Sequence, residues 1–304
     1  MEGALGVGLL GLGVVGSGLA QALLERGQDL GRSVGAPLVL RKALVRDPSK
    51  PRPFQPPTGL LTTDPGQVLE DPSVAVVVEV LGGEEPARTY IEKALRRGKS
   101  VVTANKEVIA KHGPSLLSLA QGAGVHLLFE ASVGGGIPIL GPLLKDLGGN
   151  RVSALRAIIN GTTNYILTQM SQTGKDLATA LGEAQALGYA EPDPSNDLEG
   201  RDAAYKLAIL ASLAFHTWVT PDQVYFEGIT RLHPKDFRYA HELGYEIKLL
   251  AIGRRDAAVQ VRVHPALVPL ETPLAKVDGA YNAIEVEGDL TGRVVFSGLG
   301  AGSK

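Results

Sequence analysis

"ALGVGLLGLGVVGSGLAQALLERG" (4–27) opens with a short apolar run, passes through Gly11, Gly13 and Gly16 in the order G-x-G-x-x-G, and continues with apolar residues at helical spacing over roughly 14–26. This order predicts a strand, a tight turn and an amphipathic helix, and that context gives the glycines their meaning. They permit the turn and let a pyrophosphate approach backbone N–H groups at the helix start. Gly11, Leu12, Gly13, Val14, Val15 and Gly16 therefore read as a dinucleotide cradle. A glycine-rich turn in some other α/β protein is the plain structural alternative.

Strands and helices keep alternating. "PLVLRKALVRD" (37–47) reads as a second strand, and the Pro-rich "PSKPRPFQPP" (48–57) as an irregular surface loop. "VAVVVEVLGG" (74–83) is the continuous apolar run of a parallel strand covered on both faces. "EPARTYIEKALRRG" (85–98) is a helix with basic residues at its C-terminal end and a glycine to stop it. "SVVTAN" (100–105) and "VHLLFEAS" (125–132) supply two more strands. The pattern predicts an α/β, Rossmann-type doubly wound parallel sheet. At the end of strand two, an acid would bind the adenosine ribose of NAD and an arginine the extra phosphate of NADP. Arg46 favours NADP, and the adjacent Asp47 leaves NAD open.

Composition narrows the chemistry. The chain has 304 residues, enough for two domains, with 44% hydrophobic and 20% charged residues. A formal charge of −2 gives no general pull toward nucleic acid or an anionic membrane. No apolar run approaches the ~20 residues that span a bilayer. The N-terminus lacks a basic region and a cleavage site, so a cytoplasmic enzyme is expected. There is no cysteine, which excludes disulfides, thiolate metal sites, iron–sulfur clusters and a thiol nucleophile. The six histidines show no i, i+4 pair of a helical zinc site.

"EPDPSNDLEGRDAAYKLAILASLA" (191–214) holds Glu191, Asp193, Asp197, Glu199 and Asp202, then Lys206 inside an otherwise apolar helix. Burying an unpaired ammonium costs several kcal/mol, so the group must find partners or lose its proton. Asp202, one turn earlier, is placed for an i, i+4 pair, with Asp197 and Glu191 just before the helix. A surface Asp–Lys pair is the bland alternative. Within a carboxylate cluster, the lysine reads instead as a proton donor, and the acids as a grip for a substrate ammonium.

"GLGVVG" (11–16), "TANK" (103–106), "EASVGGGIP" (130–138), "NGTTNYIL" (160–167), "GYAEPDPSNDLEGRDAAYKLAILA" (188–211) and "VHP" (263–265) occur in this order, and together the chain resembles homoserine dehydrogenase over essentially its whole length. The long 188–211 block is the specific part. The resemblance implies reversible, nicotinamide-dependent reduction of L-aspartate 4-semialdehyde to L-homoserine, in threonine, methionine and isoleucine biosynthesis. It implies Lys206 as proton donor to the aldehyde oxygen and Lys106 as a second catalytic lysine beside nicotinamide and substrate. Close together, the two would lower each other's pKa. It further implies Glu191 on the substrate ammonium, Asp197 and Asp202 orienting substrate and lysine, and Thr162 shaping the pocket. Gly82, Thr103, Lys106 and Gly300 join the cofactor contacts. Glu130 and the carbonyls of Val133, Gly135 and Ile137 would hold a sodium or potassium ion, with an ion-free tight loop as the alternative.

After Pro138 the pattern predicts an α+β substrate-binding and dimerisation domain with a mixed sheet. "RVSALRAIING" (151–161) leads into the "GTTNYILTQMSQTG" (161–174) helix, "EIKLLAIGRRDAAVQVRVHPALVP" (246–269) forms a two-stranded hairpin, and "NAIEVEGDLTGRVVFSGLG" (282–300) adds strands. The expected division is 1–135 for the dinucleotide, 136–290 for substrate and dimerisation, and 291–304 as a segment returning toward the cofactor domain. That last segment stops short of the family's closing helix, and no C-terminal regulatory domain is expected. The resemblance implies a homodimer. Two other readings stay open: a Rossmann-fold reductase of a different amino-acid precursor, and a non-catalytic protein that senses NADP.

Overall fold

The computed structural model describes residues 3–300 and divides the chain into two compact units, with the division between Ser132 and Val133. In the first unit six strands form one parallel sheet: β1 (Leu5–Leu10), β2 (Leu38–Leu44), β3 (Leu61–Thr62), β4 (Val76–Glu79), β5 (Ser100–Thr103) and β6 (Leu127–Leu128). Their order across the sheet is β3-β2-β1-β4-β5-β6, so the order reverses beside β1. In such sheets ligands bind at the carboxyl ends of the strands where the order switches. Connecting helices α1 (Val14–Gly31), α2 (Gly66–Leu69), α3 (Ala87–Arg96) and α4 (Lys106–Gly122) complete the unit. Val7, Leu9, Ala20, Leu23, Leu40 and Ala43 form a buried core between β1, β2 and α1, and Phe54 of the Pro-rich loop packs onto it.

Local chemistry sets the element ends. In β1 a Cβ on Gly6 would lie 1.8 Å from the Ser73 carbonyl oxygen, so only glycine lets that loop approach the strand. The second strand stops earlier than the apolar run to Asp47 suggests. The Asp47 carboxylate accepts from Ser49 N at 2.8 Å and Ser49 Oγ at 2.6 Å, a turn that competes with strand pairing. The strand expected over 125–132 shrinks to two residues because Ser132 N and Oγ both donate to Phe129 O, winding 130–132 into a short 3-10 turn. Helix α1 runs past 26 to Gly31 with a kink at Arg26.

The second unit carries a mixed six-stranded sheet: β7 (Val152–Ile158), β8 (Tyr225–Phe226), β9 (Tyr245–Arg255), β10 (Val259–Pro269), β11 (Tyr281–Gly288) and β12 (Gly292–Leu299), in the order β12-β11-β7-β9-β10-β8. All pairs are antiparallel except β8 with β10. The helices are α5 (Leu140–Leu144), α6 (Gly161–Thr173), α7 (Leu177–Ala186), α8 (Ser195–Leu198), α9 (Arg201–Ala214) and α10 (Pro234–Glu242). Both α6 and α9 pack on the sheet. Residues 292–299 form the edge strand β12, paired with β11, in line with the strand signals over 282–300. Residues 301–304 of the segment expected to return toward the cofactor domain lie outside the described residues.

Gly200 joins α8 to α9 with φ +85°, a conformation that favours glycine. Opposite it, a Cβ on Gly228 would lie 2.0 Å from Leu198 O, and Ile229 N donates to the same carbonyl at 2.8 Å. This close approach holds the acidic segment down. Gly228→Ala is expected to cost about 1–3 kcal/mol, read as a lowered thermal unfolding midpoint; an unchanged midpoint would show that the segment shifts freely.

Candidate active site

In the first unit the carboxyl ends of β1 and β2 open onto a cleft of about 620 Å³. Gly11, Leu12, Gly13 and Val14 form one wall, Val80, Leu81, Pro86 and Tyr90 another, and Arg46, Asp47, Lys50 and Arg52 one end. Gly11 has φ +102°, and a Cβ on Gly16 would lie 2.2 Å from Gly11 O, so the loop folds back tightly on the helix start. No side chain caps α1, and a Cβ position at Gly13 meets no atom within 4 Å. Val14 and Val15 are exposed. An uncapped N-terminus leaves N–H groups without intrahelical partners, facing open space, which suits a pyrophosphate. The residues present fit a dinucleotide.

At the carboxyl ends of β4 and β5 lies a polar lattice. Thr103 Oγ1 donates to the fully buried Glu79 carboxylate at 2.6 Å and accepts from Asn105 N at 2.9 Å. Asn105 caps α4 by accepting from Val108 N, and its Nδ2 donates to Gly83 O at 2.7 Å. Lys106 is thereby fixed as the first residue of α4. Nearby, Lys111 and His112 hold the Glu84 carboxyl at about 2, well below its usual range.

In the second unit Lys206 lies within the largely buried helix α9, its side chain 19% exposed. Its Nζ donates to Asp202 Oδ2 at 2.6 Å and to Ile159 O at 2.9 Å. An ammonium has three N–H donors, so one is left for a ligand. Asn160 Nδ2 donates both to Asp202 Oδ2 at 2.9 Å and to Asp197 Oδ1 at 2.7 Å. Asn160 Oδ1 caps α6 by accepting from Thr163 N at 2.8 Å. Burial raises the Asp197 pKa, with the Asp202 charge adding to it; Asn160, Lys206 and Thr162 pull the other way. The Thr162 hydroxyl has one hydrogen, which goes to Tyr189 O at 2.6 Å, so the offset rests on Asn160 and Lys206.

The sequence matches two family models, homoserine dehydrogenase over residues 138–304 and the homoserine dehydrogenase NAD-binding domain over residues 11–130. A homoserine dehydrogenase from Mycobacterium tuberculosis is 51% identical over 99% of this chain and 69% of its own length. One from Corynebacterium glutamicum is 48% identical over 98% of this chain and 68% of its own. The chain belongs to the homoserine dehydrogenase family.

Among solved structures, a homoserine dehydrogenase from Thiobacillus denitrificans superposes with a TM-score of 0.94 at 46% identity, covering 99% of this chain and 70% of that one. A hyperthermophilic archaeal homoserine dehydrogenase in complex with NADPH gives 0.81 at 27% identity, covering 99% of this chain and 93% of that one. The protein is thus an oxidoreductase with a nucleotide-binding unit and a second, mixed-sheet unit. The readings as another precursor's reductase or a silent sensor give way.

The structure brings Lys206, Asp202 and Asp197 together, with Thr162 alongside. Glu191 is exposed on the loop before α8. Gly82 and Thr103 lie at the carboxyl ends of β4 and β5. Gly300 follows β12 in the second unit, where a Cβ would lie 2.2 Å from Asn282 Nδ2. Of the expected ion ligands, Val133 and Ile137 are buried and Gly135 has φ +54°. Among the described residues no group of three or more His, Cys, Asp or Glu side chains could hold a metal. No described helix is long and apolar enough to cross a membrane.

Sequence reasoning passed over Lys50 and Arg52, which hide in a proline-rich loop, and Asn160, whose carboxylate partners lie 37 and 42 residues away. An asparagine before a helix signals only a cap.

Because burial raises the Asp197 pKa above its ordinary 3.8, the protonated form is favoured by folding. Its contribution to stability is fully present below 3.8 and is lost as pH rises through the folded value. Asp197→Asn removes that loss. The variant's thermal midpoint relative to the parent should climb from acidic to neutral pH, and a difference that falls instead would contradict the burial argument.

Proposed function

We propose that the enzyme reduces L-aspartate 4-semialdehyde to L-homoserine, reversibly and with a preference for NADPH over NADH, in the cytoplasmic route to threonine, methionine and isoleucine. The observation that carries the catalytic assignment is Lys206, enclosed, held by two acceptors, and keeping one N–H for substrate. When bound, the nicotinamide dinucleotide supplies the hydride. Reduction builds alkoxide charge on the aldehyde oxygen, and the Lys206 ammonium stabilises and protonates it. Asp202 fixes the direction of that ammonium. Asp197 and Glu191 provide negative charge for the substrate's own ammonium, and Thr162, anchored on Tyr189 O, shapes the pocket. In the cofactor unit, Lys106 is a second catalytic lysine, set at the head of α4 by the Thr103–Asn105 lattice.

The cofactor preference rests on the end of the cleft. Arg46, Lys50 and Arg52 line it, with Arg52 donating to the carbonyls of Asp47 and Lys50, and the one acid in that lining, Asp47, accepts from Ser49 through Oδ1. Three cations suit a phosphate on the ribose better than a bare hydroxyl. Gly11, Leu12, Gly13, Val14, Val15 and Gly16 would hold the pyrophosphate, with Gly82, Thr103 and Gly300 as further contacts.

A sodium or potassium ion held by Glu130 and the carbonyls of Val133, Gly135 and Ile137 is the cation reading. Positive φ at Gly134 and Gly135, and the Ile137 N–H donated to Gly134 O, bend this loop sharply and suit it to presenting carbonyls. Homodimer formation is supported by Tyr281 and Leu299, paired across β11 and β12, and Val295 four residues from Leu299; all three are exposed apolar side chains on one sheet face.

The direct test follows NADPH and NADH absorbance with aspartate semialdehyde, and the reverse with homoserine. Lys206→Ala is expected to lower kcat by about 100-fold or more with NADPH binding intact; wild-type turnover would remove the proton-donor role. Arg46→Ala should lose about 10-fold or more in kcat/KM with NADPH and little with NADH. Equal losses with both would sink the phosphate contact.

A further inference from the structure

Lys206 and its acids do not orient themselves. Asp202 Oδ2 accepts from Lys206 and from Asn160, and Asp197 Oδ1 accepts from the same Asn160 nitrogen. The other acceptor of Lys206 is the carbonyl of Ile159, the neighbour of Asn160 at the end of β7. One dipeptide therefore supplies the lysine's backbone acceptor and the amide that joins both carboxylates. Asn160 is itself held, since Oδ1 accepts from Thr163 N at 2.8 Å and Thr163 Oγ1 at 2.9 Å. With Oδ1 committed, the amide cannot flip, and both N–H bonds must point at the acids. Asn160 is 5% exposed, so no water replaces it cheaply.

We propose that Asn160 is a positioning residue of the reaction: its carboxamide locks Asp197 and Asp202 into one ionised unit and thereby aims the remaining Lys206 N–H at the substrate. The inference rests on Lys206 being the proton donor. A neutral donor is the residue type the position demands. Two carboxylates converge here within reach of one ammonium, which is already bonded to Asp202. A second amine would compete for that site, and a third acid would repel both. The amide stabilises two anions while adding no charge.

The groups that face Asp197 are Asp202 and Lys206 of α9, and neutral Asn160 and Thr162 at the start of α6. Removing the amide takes away a hydrogen bond that favours the ionised form, so Asp197 protonates at higher pH. If ionised Asp197 binds the substrate ammonium, the acid limb of activity moves up.

Two variants keep the helix cap. Asn160→Ser retains a capping oxygen, and Asn160→Asp retains both cap and size, but neither offers the two N–H bonds. For each, kcat is expected to fall about 10- to 100-fold, and the acid limb of kcat/KM to rise by about one pH unit. The thermal midpoint should fall in both, because Asp197 and Asp202 lose their amide donor. NADPH binding, read by fluorescence, should stay close to that of the parent, and far-UV circular dichroism should show both variants folded. In a Lys206→Ala background Asn160→Ser should slow the enzyme little further, because the two changes remove one function. Folded Ser and Asp variants with parental kcat and an unmoved acid limb would overturn the proposal. So would fully additive losses in the double variant. Should Lys206→Ala keep its rate, the donor assignment itself falls. Should Lys206→Ala lose its rate while both Asn160 variants keep theirs, only the positioning role falls.

Discussion

An ammonium within a largely buried, mostly apolar helix is the constraint around which the second unit is arranged. Removing one partner from a buried ion pair costs about 3–5 kcal/mol, so the Lys206–Asp202 contact at 2.6 Å cannot be casual. Asp202 is itself buried and needs a second donor, which Asn160 gives. Lys206 needs a second acceptor, which the end of β7 gives. The positions of α9 and of the β7–α6 turn are therefore fixed against each other by charge satisfaction as well as by packing. A leucine at 206 would leave the buried Asp202 without its cation, so the pair is kept or lost as a unit. Retaining the charge makes sense where a proton must be delivered in a site kept from bulk water.

The acidic segment before α9 is held by backbone contacts as well as by the Asn160 amide. Leu198 O accepts from Ile229 N, Gly228 leaves room for that approach, and left-handed Gly200 turns the chain into α9. Asp197 can then be kept partly buried, in an ionisation state that burial opposes. Stability comes from the glycines and the strand contact, and function is placed on top of it.

Much of this was legible before any coordinates. Periodicity and glycine spacing located the parallel sheet, the α1 cradle and both hairpins, because those signals are local. The i, i+4 pairing of Asp202 with Lys206 followed from helical geometry alone. Strand ends were misjudged where a side chain outbid the ladder, as Ser49 does at Asp47 and Ser132 does at Phe129. The strand signals over 282–300 are borne out by β11 and β12, though which strands they pair with had to come from the fold. Asn160 was invisible for a different reason. Its partners are distant in sequence, and nothing local distinguishes an asparagine that caps a helix from one that also joins two acids.

That double use is repeated in the first unit, which argues that it follows from the geometry of strand-to-helix turns. Asn105 follows β5 and caps α4; Asn160 follows β7 and caps α6. In each, Oδ1 accepts from the helix N–H three residues on, so Nδ2 must point away from the helix. At Asn105 it reaches the Gly83 carbonyl, tying the loop after β4 to the head of α4. At Asn160 it reaches two carboxylates. Serine or aspartate would cap either helix comparably, but neither would present those donors on the far side. The choice of asparagine is therefore explained by what lies beyond the cap: a loop carbonyl beside the dinucleotide cleft in one unit, and the acids that hold Lys206 in the other.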